Sequence, residues 1–86
     1  MNKTKKTELQ PIFDTRKSFY KKAYTLTENN KIILLSYDTK VAEIKNDKAK
    51  IFDTYSPTTL RHIKEFLYQN GFKIGTKKEL MEWYEN

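Results

Sequence analysis

Apolar positions change period twice along the chain, and each change marks a different kind of element. Residues 1–8 show no apolar period and are rich in Lys and Thr, which predicts a flexible basic arm ahead of a single domain over 9–86. Leu9, Ile12 and Phe13 open that domain, and Pro11 between them predicts an extended lead-in rather than a helix. Asp14-Thr15 reads as a turn. From Phe19 to Tyr55 the chain has the short, aromatic and β-branched runs of a meander. Strands are expected over Ser18–Thr27, Lys31–Tyr37, Val41–Lys45 and Ala49–Thr54. Glu28-Asn29-Asn30, Asp38-Thr39-Lys40 and Asn46-Asp47-Lys48 are the turns between them.

A helical period follows. Ser56 is placed to cap a helix that Pro57 starts, where its missing N–H costs nothing. Leu60, Ile63, Phe66 and Leu67 form one apolar stripe, and Asn70-Gly71 supplies a left-handed stop with Phe72 folding back. Thr76-Lys77-Lys78-Glu79 spells a capping box for a short last helix to about Tyr84, with Leu80, Trp83 and Tyr84 able to pack. A single-striped helix needs a partner surface, and one face of a meander provides it. The expected fold class is α+β: a four-stranded antiparallel β-meander packed against one main α-helix, plus a short C-terminal helix.

The chain has 86 residues, enough for one small core. It holds 17 Lys+Arg against 11 Asp+Glu, a net charge of +6, and no Cys. A disulfide framework, a thiol nucleophile and a Cys-based zinc site are thereby excluded. The longest apolar run is Ile32–Leu35, far short of the ~20 residues that cross a bilayer. The basic start leads into no apolar signal segment, so the expectation is a soluble, intracellular protein away from membranes. Residues 1–22 carry seven cations against Glu8 and Asp14, whereas 23–56 balance at zero. A local basic excess attracts polyanions through counterion release. It also simply keeps a small protein soluble, and that reading stands level with the first.

Catalytic patterns are sparse. The chain has one His, His62, which the helical wheel places beside the apolar stripe as a partly exposed surface residue. There is no metalloprotease motif, phosphate loop or nucleophile elbow. Glu79, Glu82 and Glu85 share a spacing that suits a cation, but a solvated helix face and the capping box account for them. Asp38, Asp47 and Asp53 sit in or beside predicted turns. The expectation is a non-enzyme with no catalytic residue, metal or cofactor; a small metal-dependent nuclease is the remote alternative.

Binding has more to show. Arg16, Lys17, Lys21 and Lys22 interleave with Phe19, Tyr20 and Tyr24 along the first expected strand. In a regular strand Tyr20, Lys22 and Tyr24 would share a face, as on a single-strand or RNA platform. An edge strand defended by lysines has the same composition. On the main helix Arg61, Lys64 and Tyr68 form a basic-aromatic stripe suited to phosphates and a stacked base. Its ordinary explanation, slightly preferred, pairs Arg61 with Glu65 and lays the Lys64 stem on the sheet edge.

Three segments together resemble a known pattern: Arg16-Lys17-Ser18-Phe19-Tyr20; Ser36-Tyr37-Asp38-Thr39 followed by Val41; and Ser56-Pro57-Thr58-Thr59-Leu60-Arg61-His62-Ile63-Lys64-Glu65-Phe66-Leu67. They are similar to an uncharacterised family of small proteins from phages, plasmids and integrative elements of Gram-positive bacteria, over roughly residues 13–72. One departure concerns Lys21, where that pattern usually has Gly, a residue suited to a bulge. The resemblance brings no activity and no catalytic residue. It implies a mobile-element product in the bacterial cytoplasm, a setting in which small proteins block host enzymes or defence complexes, CRISPR nucleases included.

The expected function is therefore a binding protein that engages nucleic acid or a host or defence nucleoprotein complex. Arg16, Lys17, Lys21, Lys22, Arg61 and Lys64 would supply charge, and Tyr20, Tyr24 and Tyr68 contact area. The alternative is a protein-directed inhibitor of a host or defence enzyme, with the tyrosines as anchors.

Overall fold

The elements in chain order are β1 (Lys5–Glu8), β2 (Ala23–Glu28), β3 (Lys31–Ser36), β4 (Thr39–Lys45), β5 (Lys48–Ile51), α1 (Pro57–Gln69) and α2 (Lys77–Tyr84). The computed structural model describes residues 5–15, 17–28, 30–52 and 56–84. All five strands join one antiparallel sheet in sequence order. The α+β class, the meander, the main helix and the short C-terminal helix are as the sequence predicts. The strand count is not.

The fifth strand is β1, drawn from residues expected in the flexible arm. It runs from Lys5↔Thr27 to Glu8↔Tyr24, and the Leu9 N–H extends the pairing to the Ala23 carbonyl at 2.9 Å. Its side chains are polar, so the backbone ladder stabilises it and hydropathy gives no sign of it. Residues 1–4 lie outside the described residues.

β2 also starts later than expected, at Ala23 rather than Ser18. The Lys22 N–H closes a turn on the Phe19 carbonyl at 2.9 Å, with Tyr20 (φ 53) and Lys21 (φ 61) both left-handed. The same turn geometry recurs at Tyr37-Asp38 and Asn46-Asp47, whose φ angles lie between 52 and 65. Such paired positive φ values match the strand twist of a two-residue hairpin and favour Asn, Asp or Gly. Asn46-Asp47 satisfies that preference; Tyr20-Lys21 opposes it, which is why the turn was invisible. Lys21→Gly is expected to raise stability by about 1 kcal/mol, read as a higher urea midpoint at unchanged slope.

Both helices cover one face of the sheet. Leu34, Ala42, Ile44 and Ile51 meet Leu60, Ile63, Phe66 and Leu67 of α1 and Leu80 of α2 in the core. A bulge between Leu34 and Leu35 in the β3–β4 pairing turns consecutive Val41 and Ala42 into that core. The α1 stripe is buried as predicted, and both helix ends use the expected chemistry. Ser56 accepts the Thr59 N–H, while Gly71 (φ 81) lets the Phe72 and Gly71 N–H groups return to the Leu67 and Tyr68 carbonyls. Thr76 and Glu79 exchange backbone-to-side-chain bonds of 2.9 and 3.2 Å. Thr76→Ala is expected to cost about 1 kcal/mol and to fray α2, seen as faster amide exchange there.

Candidate partner-binding surface

The exposed side of α1 is built around a buried carboxylate. Glu65 is fully enclosed and accepts the Phe13 N–H at 3.0 Å, the Asp14 N–H at 2.8 Å and the Gln69 amide at 2.6 Å. Gln69 also reaches the Gln10 carbonyl at 2.7 Å. Burial pushes the Glu65 pKa up, but the Gln69 amide and the backbone donors of Asp14, Phe13 and Ile12 outweigh it and hold the group below its ordinary value near 4.5. This corrects the expected Arg61–Glu65 pair. Glu65 points at the lead-in segment, and Arg61 instead meets the Asp14 carboxylate at 3.2 Å.

His62 is likewise not a surface residue. It is 1% exposed, with Nδ1 2.8 Å from the Ser36 hydroxyl and its ring edge-on to Phe19 at 4.7 Å. The Ser36 hydroxyl lies 3.1 Å from that of Thr59, so a small polar cluster joins β3 to α1 inside the core. The late turn at 19–22 is what folds Phe19 over His62, which a helical wheel cannot show.

Residues 13 and 14, clamped against α1, border one shallow cleft, and the turn at 19–22 borders a second. Phe13, Asp14, Pro57, Leu60, Arg61 and Lys64 line one; Phe19, Tyr20, Lys22, Tyr37, Arg61 and His62 line the other. Arg61 belongs to both and bridges them. The first measures about 460 Å³, within the usual ~300–1,000 Å³ of small-molecule pockets, and the second about 230 Å³, below it, so volume alone does not mark the pair as a ligand pocket or a docking face. Tyr20 is 70% and Tyr37 51% exposed, and the Lys22 ammonium stands 5.7 Å from the Tyr37 ring. Beyond Lys64, Tyr68 stacks on Phe13 with centroids 5.0 Å apart, and Ile12 is 72% exposed beside them.

The structure thus brings Tyr20, Lys22, Arg61, Lys64 and Tyr68 onto one side of the molecule; Lys17 and Lys21 are exposed but line neither cleft. Tyr24 is separated from them. It lies on the helix-free face of the sheet under the Lys6 ammonium at 4.5 Å, because the turn at 20–21 breaks the alternation that would have aligned it with Tyr20. Arg16 lies outside the described residues. Tyr37 and Phe13 were missed by sequence reasoning. Tyr37 precedes Asp38 in a turn that was placed one residue late, and an aromatic residue in a hairpin turn is a signal that could have flagged it.

Among the described residues, no group of three or more His, Asp or Glu is arranged to hold a metal ion. No described helix is long and apolar enough to cross a membrane. No curated protein and no solved structure matches the chain. The resemblance drawn from the three segments has a firmer counterpart: a family pattern matches residues 7–82, nearly the whole fold from β1 through α2, and the chain belongs to that family, the family of unknown function DUF8033.

Proposed function

We propose that the protein is a non-enzymatic binding module that engages nucleic acid, alone or within a nucleic-acid-processing complex, through the cationic-aromatic side of α1 and the two neighbouring turns. One observation carries this reading. Tyr20 and Tyr37 occupy left-handed turn positions where Asn or Gly is favoured, yet their rings are more than half exposed. Each costs backbone energy; among the described residues no ring contact offsets it at Tyr20, and at Tyr37 the return is a ring contact with His62 at 5.9 Å that still leaves half the side chain open. Strain of this kind at an exposed position is a mark of function rather than of stability. Lys22 and Arg61 border both rings and add the charge that phosphates need. A hydrolytic role has less support: Ser36 is buried and does not line the cleft beside His62.

Ile12, Phe13 and Tyr68 favour a second reading, a protein-directed inhibitor, because exposed apolar anchors next to Arg suit a protein interface. The mobile-element setting in a bacterial cytoplasm and an anti-CRISPR-like role belong to this proposal as well. Titration with oligonucleotides over a salt series tests the first reading. Tyr20→Asn with Tyr37→Asn is expected to keep or raise stability while weakening binding several-fold, and Lys22→Ala with Arg61→Ala to lower the log-log salt slope by about two. Salt-independent affinity would remove the nucleic-acid reading; a nuclease-resistant stoichiometric complex with a host enzyme on gel filtration would install the second.

A further inference from the structure

The helix-free face of the sheet carries a basic row that the first surface does not use. Cross-strand register sets Glu28 opposite Lys31, Lys31 opposite Lys45, and Lys45 opposite Lys48. Like charges directly opposite one another destabilise a sheet. Relief is slight: Glu28 reaches Lys31 only at 3.9 Å, and Glu43 is engaged by Lys40 at 3.4 Å. Among the described residues neither Lys45 nor Lys48 makes an ion pair.

This row runs into a cleft at the β5 edge where Lys45, Lys48 and Lys50 outnumber the two carboxylates of the lining, Glu43 and Asp47, and Trp83 stands with Tyr84. Trp83 is held as a platform. The Lys73 ammonium sits 4.4 Å from its ring centre, Tyr84 packs edge-on at 6.1 Å, and the ring tip lies so close to Gly75 that a Cβ there would stand 3.0 Å from it. The indole still keeps 37% of its surface exposed. A line of ammonium groups, two of them (Lys45 and Lys48) without an ion pair among the described residues, ending beside a fixed, half-open indole matches a phosphate backbone with an unstacked base. Self-association does not fit, since two copies of this row would repel. A duplex does not fit either, because its bases are not available to stack.

We propose that Lys31, Lys45, Lys48 and Lys50 with Trp83 form a second site that binds a single-stranded polynucleotide, lysines on phosphates and indole on a base. Trp83 is the only Trp in the chain, so its fluorescence reports this site alone. Titrating the full chain with oligo(dT) of about 12 nucleotides, within the ~4–16 that small single-strand sites span, is expected to quench Trp83 with a steep salt dependence. Lys45→Ala with Lys48→Ala removes a repulsion, so it is expected to fold normally, to weaken binding about tenfold and to lower the salt slope by about two. Trp83→Leu, followed by anisotropy of a labelled oligonucleotide, is expected to lose about tenfold as well. Tyr20→Asn with Arg61→Ala should leave the Trp83 quench intact, so the two surfaces fail separately. The proposal is overturned by no quench, by equal quench with duplex or polyglutamate, or by the double lysine variant binding like the parent.

Discussion

Glu65→Ala is expected to lower the unfolding free energy by about 2–4 kcal/mol, one of the two largest effects of any single change considered. The carboxylate accepts backbone donors from Phe13 and Asp14 and the Gln69 amide at 2.6–3.0 Å inside a fully enclosed position; alanine removes the acceptor of both N–H groups and leaves the Gln69 amide only the Gln10 carbonyl. Glu65→Gln keeps one oxygen and is expected to lose less. The pH dependence has a definite sign. Because the folded pKa lies below the unfolded one, the stabilisation is fully present above the unfolded value and is lost as pH falls through the folded value. Urea unfolding from about pH 6 down to pH 3 should show the parent losing stability more steeply than Glu65→Gln. Parallel pH profiles would contradict the assignment. The same variant should also loosen residues 12–14 and so weaken whatever partner the α1 side holds.

His62→Ala is the second, with an expected loss of about 3 kcal/mol. It removes a ring packed on Phe19 and leaves the Ser36 and Thr59 hydroxyls short of a buried partner. His62→Phe restores volume but not the hydrogen bond, so it should recover only part. A double-mutant cycle with Ser36→Ala, read by urea unfolding, is expected to give a coupling of about 1 kcal/mol. Additive losses would show that packing alone fixes the imidazole.

How much of this was legible depended on which physical signal each feature uses. The α1 boundaries were readable because Ser56, Pro57, Asn70 and Gly71 act through local hydrogen bonds and dihedral preference. The core stripe was readable because burial selects apolar side chains at helical spacing. Tyr20-Lys21 was not, since a left-handed pair without Gly, Asn or Asp is held by its surroundings: the Ser18 hydroxyl on the Tyr20 N–H at 2.9 Å and the Glu8 carboxylate on the Lys21 N–H at 3.2 Å. The second of these contacts joins segments that only the folded chain brings together.

The candidate site divides the same way. Arg61, Lys64 and Tyr68 were found as one stripe because helix geometry alone sets their spacing. The separation of Tyr24 from Tyr20, the inward turn of Glu65 and the row Lys31–Lys45–Lys48 depended on a turn, a clamp and a register.

By itself the sequence determined the class of fold, the helix caps, the buried stripe and the excess of positive charge, because each follows from neighbours a few residues apart. Tertiary structure alone decided that β1 joins the sheet, that Glu65 and His62 lie inside, and where the cations and rings gather. Those outcomes rest on pairings across the sheet and between sheet and helix, whose partners lie far apart in the chain and leave no local periodicity to read.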